Sequence, residues 1–266
     1  MQKLDYKRVG LVVAVTVSST LLWAACRVWL DDPARFSSIL VMLLPAAAFI
    51  LSAAVTSVAF LLMEHRWDRL AAVATSWTTF IFFWRPNIWY VSILPIFAAF
   101  WWSAAKDIRA SLEDRRRIRI NASLRQGAKL ILLGSYLMIS LGFYLLPSSQ
   151  KFTATTVSRD IQSSVESTYD NAFVQQQLSQ LPPAARAQFQ RDVGQYVYQT
   201  ARAWLAPLGK FIPPILAFGL FLTLWSVNFL LRPPSVWVGG WLFRLLKHTG
   251  FVIVTEQDVK GELIGL

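Results

Sequence analysis

The chain has 266 residues, 55% of them hydrophobic, with a mean hydropathy of +0.44 and 12 Trp, more apolar surface than a single soluble core of this length can hide. A net charge of +11 and a pI near 10.2 would suggest nucleic acid in a soluble protein. Beside long apolar runs the same cations read instead as orientation signals and anionic-lipid contacts, with no nucleic-acid partner, and the single cysteine, Cys26, excludes an intramolecular disulfide or a cysteine metal cluster.

Roughly 20 helical residues, rising about 1.5 Å each, cross the hydrocarbon core of a bilayer. Six apolar runs meet that need, at 9–30, 37–63, 70–84, 88–105, 130–146 and 211–231, so the fold class is an all-α polytopic integral membrane protein. The first run follows Lys3, Lys7 and Arg8, and its Trp23-Ala24-Ala25-Cys26 stretch is a poor match to a lipoprotein cleavage box. Trp23 stands where such boxes usually carry Leu, and apolar residues continue to Leu30. A retained helix with a buried thiol is therefore expected rather than lipidation of Cys26. The second run is long and should tilt. Only Arg85-Pro86-Asn87 joins the short third run to the fourth, so this pair either crosses twice or forms a shallow hairpin.

After the fourth run comes a basic linker, 106–129, which should continue the helix because Ile108 and Leu112 keep its apolar phase and Glu113 and Arg117 are spaced for an i,i+4 pair. Its cluster Arg115, Arg116, Arg117 and Arg119 is dense enough to contact anionic lipid, although a plain orientation signal is the simpler reading. Residues 147–210 form the one sizeable polar segment. Val157, Ile161, Val165 and Tyr169 recur every four residues; after Leu181-Pro182-Pro183, a second stripe runs through Phe189, Val193, Tyr196, Val197, Ala201, Trp204 and Leu205. An extracytoplasmic helical hairpin is expected there, its stripes pairing with each other or docking on the bilayer or another protein.

Pro233-Pro234-Ser235 should break the sixth run and cap a short interfacial helix, with Trp237, Trp241, Arg244 and His248 on one face as headgroup anchors. Beyond Gly250, the apolar residues Phe251, Val252, Ile253 and Val254 read as a strand that folds back or adds to a partner's sheet.

Charge orients the chain. Of the 26 Lys and Arg, 17 fall in the first set of alternate segments and 8 in the second, with Arg27 inside the first run near its end. Both termini are thus expected in the cytoplasm, and the protein is read as resident in a prokaryotic cytoplasmic membrane.

Catalytic candidates are few. His65 and His248 are the only histidines, and the chain carries no HExxH, no GxSxG with a plausible base and no Gly-rich phosphate loop. No enzyme activity, cofactor or metal is expected. A Ser/Thr seam of Thr16, Ser18, Ser19 and Thr20 with Thr75, Ser76, Thr78 and Thr79 admits a pore or uncoupled transporter, but such hydroxyls more simply bond their own helix or join neighbours. The leading expectation is a non-enzymatic scaffold or accessory subunit of a membrane complex, in contact with anionic lipids and with a protein partner or a second copy of itself.

Overall fold

The computed structural model describes residues 2–31, 39–84, 88–113, 120–146, 149, 158, 161–163, 182–207 and 211–252. The regular structure among the described residues is helical: α1 (Gln2–Asp31), α2 (Ile39–Leu62), α3 (Arg66–Trp84), α4 (Ile88–Glu113), α5 (Ile120–Leu145), α6 (Pro183–Leu205) and α7 (Ile212–His248). Four of them, α1, α2, α5 and α7, are long and apolar enough to cross a membrane. The other two helices of the expected set carry their charges in terminal turns, Arg66, Asp68 and Arg69 opening α3 and Lys106, Asp107, Arg109 and Glu113 closing α4. The chain divides into two compact units, Met1–Ile139 with Phe221–Leu266, and Ser140–Leu220.

Aromatic rings fill the interior of the first unit. Trp23 of α1 meets Phe80 of α3 edge-on at 5.1 Å and Phe97 of α4 at 6.5 Å. Phe97 continues to Trp101 at 4.7 Å, Trp101 to Phe60 of α2 at 5.9 Å, and Phe49 of α2 meets Tyr136 of α5 at 5.1 Å. All of these rings are buried. Edge-to-face geometry lets each positive ring edge meet a negative face, and buried Ala53, Ala54, Ala72, Ala104 and Ala105 bring the backbones close enough for the rings to meet. Gly134 fits the same closeness, since a Cβ there would stand 3.2 Å from Phe100 and Trp101, and those side chains would have to shift.

Polar bonds supplement the rings. Trp23 Nε1 donates to the Ser76 carbonyl at 3.0 Å, and Thr16 Oγ1 bonds both the Val12 carbonyl of its own helix and Thr75 Oγ1 across the α1–α3 contact. Ser18, Thr20, Thr75, Thr78 and Thr79 likewise donate to carbonyls three or four residues back. Six of the eight seam hydroxyls are thus engaged in helix back-bonding and one interhelical link, whereas those of Ser19 and Ser76 are buried with no hydrogen-bond partner. Cys26 is fully buried within α1, which runs on to Asp31.

The expected break at Pro233-Pro234 does not occur, and the separate interfacial helix is instead the second half of α7. Two prolines remove the amide donors that would reach Phe229 and Leu230, but local and tertiary bonds carry the helix through. Ser235 Oγ donates to the Leu231 carbonyl at 2.8 Å, Arg232 Nε to the Arg125 carbonyl of α5 at 3.1 Å. Gly239 and Gly240 then face α5: a Cβ at 239 would meet Leu124 at 3.3 Å, and one at 240 would meet the Asn121 side chain at 2.8 Å. Pro213 and Pro214 fall in the first turn of α7, where amides lack helical acceptors in any case. Gly250, at φ 71°, ends the helix with its N–H on the Lys247 carbonyl, and the Val252 amide reaches back to Leu246. Phe251 and Val252 are bends, so the expected strand does not start at Phe251; Ile253 and Val254 lie outside the described residues.

In the second unit, Ser149 Oγ closes the end of α5, its one proton shared among the carbonyls of Phe143, Tyr144 and Leu146 that surround it. α6 begins on prolines, as expected for a first helical turn, and ends with the Ala206 amide on the Arg202 carbonyl. Along its predicted stripe Val193, Val197 and Ala201 are half-buried, whereas Phe189, Tyr196 and Trp204 are exposed. Most of the predicted first arm of the hairpin, including Val157, Val165 and Tyr169, lies outside the described residues.

Candidate functional site

One end of the first unit collects the segments that the charge pattern assigns to a single side. The Lys7 ammonium donates to the Phe251 carbonyl at 2.7 Å and sits 5.1 Å from the centre of that residue's ring, joining the start of α1 to the chain beyond α7. Arg8 Nε is 4.0 Å from Asp68 at the start of α3. Arg109, near the end of α4, donates to the Glu64 carbonyl in the α2–α3 turn. Ser111 of α4 bonds Ser123 of α5, and Arg232 of α7 bonds the Arg125 carbonyl of α5. From α1 to α5 the helices therefore alternate in direction, and α7 ends at the same basic end. At the other end Arg27 is paired with Asp31 at 2.8 Å and lies 5.5 Å from the Trp84 ring.

Lys7, Arg8, Glu64 and Asp68 rim a cleft of about 180 Å³ at the basic end, floored by Leu11, Leu62 and Met63 and flanked by Phe251 and Val252. Beside it is Arg69, only 7% exposed, with its guanidinium 5.3 Å from the Trp102 ring. Burial first, and then the neighbouring Arg109, pull this guanidinium below its ordinary pKa, while Asp68 offsets part of the effect. An arginine stays charged at neutral pH even so.

The predicted anchors Trp237, Trp241 and Arg244 share an exposed face of α7, opposite buried Leu231, Ser235, Gly239 and Phe243. Arg115, Arg116, Arg117 and Arg119 lie outside the described residues, in the connection between α4 and α5. His65 is exposed in the α2–α3 turn and His248 is exposed at the end of α7. No group of three His, Cys, Asp or Glu side chains among the described residues is placed to hold a metal ion.

Sequence reasoning singled out neither Arg69, Arg109 nor Trp102. A signal was present: Trp102 and Arg109 are seven residues apart, two helical turns on one face, and Arg69 directly precedes an apolar run. Comparison with known protein families, with curated proteins and with solved structures gives no match.

Proposed function

We propose that the chain is a non-enzymatic scaffold or accessory subunit embedded in a membrane, crossing it six times with both termini in the cytoplasm. The observation that carries this reading is the combination of a ring-filled interior with uncovered apolar surface on α7. Phe218, Leu222, Trp225, Phe229 and Leu230 are exposed along that helix, and only 17% of its most apolar stretch is buried. Lipid covers such a surface, and a protein partner or second copy can share it. The meeting of Lys7, Asp68, Arg109, Ser123 and Phe251 at one end supports the alternation of directions that six crossings need. The apolar part of α3, from Leu70 to Trp84, is about 22 Å long, so a crossing there needs its charged first turn at the headgroup level. The pore reading is weaker, because interlocked rings occupy the interior and the Thr16–Thr75 seam is spent on hydrogen bonds.

Extraction in mild detergent, affinity purification and mass spectrometry test the scaffold reading: a stoichiometric partner, or a discrete oligomer of the chain, is expected. Solute flux in liposomes holding the chain alone, with no such assembly, would overturn it in favour of the pore.

A further inference from the structure

In a chain of net charge +11, the cleft at the basic end is rimmed by charges of both signs in equal number. Lys7 and Arg8 bring two cations and Glu64 and Asp68 two anions, and none of the four is fully engaged. The Lys7 ammonium has three donors and gives one to the Phe251 carbonyl. Arg8 Nε stands 4.0 Å from Asp68 Oδ2, near enough to attract and too far to hydrogen-bond, and that oxygen is buried with no hydrogen-bond partner among the described residues. Glu64 belongs to neither of the ion pairs within 4.0 Å among the described residues, Arg8–Asp68 and Arg27–Asp31, while Arg109 bonds its carbonyl and so steadies the turn that carries it. A buried carboxylate oxygen needs a donor. A net anion entering the cleft would meet Glu64 and Asp68, and a net cation would meet Lys7 and Arg8. A dipolar ion can turn each end to its opposite charge.

We propose that this cleft holds the headgroup of phosphatidylethanolamine, with the ammonium on Asp68 and Glu64 and the phosphate on Lys7 and Arg8. The three N–H donors of a primary ammonium satisfy the buried Asp68 oxygen, which a trimethylammonium cannot do. The volume of about 180 Å³ is smaller than the roughly 300 Å³ at which pockets for drug-sized molecules begin, so a headgroup enters and the acyl chains stay outside. Starting one residue after Arg8, Val9, Val13 and Val17 form an exposed apolar stripe along α1 on which those chains can lie. The level also fits a lipid. Of the floor residues, Leu11 lies early in α1 and Leu62 at the end of α2, two helices long and apolar enough to cross a membrane. Phe251 and Val252 flank the cleft, and the Lys7 contact ties Phe251 in place. The site rests on the membrane reading given above but not on the scaffold reading.

Native mass spectrometry of the purified full chain, with phosphatidylethanolamine, phosphatidylcholine or phosphatidylglycerol added to the detergent, tests the proposal. Phosphatidylethanolamine should be retained over both of the others. Asp68→Asn should weaken that retention about tenfold, the equivalent of one charge-assisted bond, and Glu64→Gln about threefold, as suits an exposed partner. Asp107→Asn, an equal change in net charge at an exposed position of α4 outside the cleft, should have little effect. Thermal melting of each variant accompanies the measurement, and the exposed Glu64 keeps the test decisive if Asp68→Asn does not fold. Equal retention of phosphatidylethanolamine and phosphatidylcholine, or preference for phosphatidylglycerol, would overturn the site. So would equal losses in Glu64→Gln and Asp107→Asn, which would reduce the effect to general electrostatics. Glycerophosphoethanolamine displacing the lipid at equal concentration would assign the cleft to a free zwitterion and overturn the lipid. A chain that washes off vesicles in carbonate would overturn the membrane reading together with the site.

Discussion

Trp23 is fully buried, donates its indole N–H to the Ser76 carbonyl and meets Phe80 and Phe97 edge-on. Trp23→Ala should cost about 3–5 kcal/mol, since a large cavity opens among rings that cannot collapse into it. Trp23→Phe keeps most of the ring contact and loses one hydrogen bond, for about 1 kcal/mol. Denaturation of the solubilised protein checks both, and equal losses would show that the hydrogen bond, not the ring packing, dominates. Glycine gives an opposite test. A side chain at Gly127 would run into Ile108, whereas Gly10 has nothing within 4 Å. Gly127→Val should therefore destabilise by about 1–3 kcal/mol, and Gly10→Ala should be neutral or stabilising. The burial of Trp23 was legible from its place in an apolar run; its partners were not, because they depend on how α1 lies against α3 and α4.

Six of the seven helices among the described residues answer to apolar runs read from the sequence, since a long stretch without charge has few other ways to satisfy its backbone in lipid. Their ends were less legible. α5 starts at Ile120, ten residues before the apolar run, because Ser123 and the Arg125 carbonyl find partners on α4 and α7. α7 passes through Pro233-Pro234 for the same kind of reason: a local rule about proline is overridden by tertiary contacts. Gly239→Leu should push the second half of α7 away from Leu124 and the Ala54 backbone, raising hydrogen exchange at 241–248, whereas Pro234→Ala should leave the fold and its protection intact. Unchanged exchange in Gly239→Leu would mean that this close approach does not hold the helix. At the tail, Lys7→Met removes both the bond to the Phe251 carbonyl and the cation–π contact, so the Val252 amide should exchange faster. Protection of Val252 unchanged in Lys7→Met would leave the turn at Gly250 as its sole anchor.

At the scale of the whole chain, the sidedness of basic residues was the strongest signal in the sequence, because orientation depends on summed charge near helix ends rather than on any one contact. The cleft of mixed charge was hidden for the converse reason: its parts come from α1, the α2–α3 turn, α3 and the chain beyond α7, and only folding brings them together. Replacement of His65 or His248 by Ala should leave assembly and phenotype intact, as both are exposed at helix ends; loss of function with the protein still present would revive catalysis or metal binding. The six-crossing arrangement itself is tested most directly by labelling single cysteines, placed in a Cys26→Ala background at His65, Asn87, Ala206 and Thr249, with a membrane-impermeant maleimide. His65 and Thr249 should react only from the cytoplasmic side, and Asn87 and Ala206 only from the opposite side. Asn87 reacting from the same side as His65 would contradict it, by showing that α3 and α4 turn back without crossing.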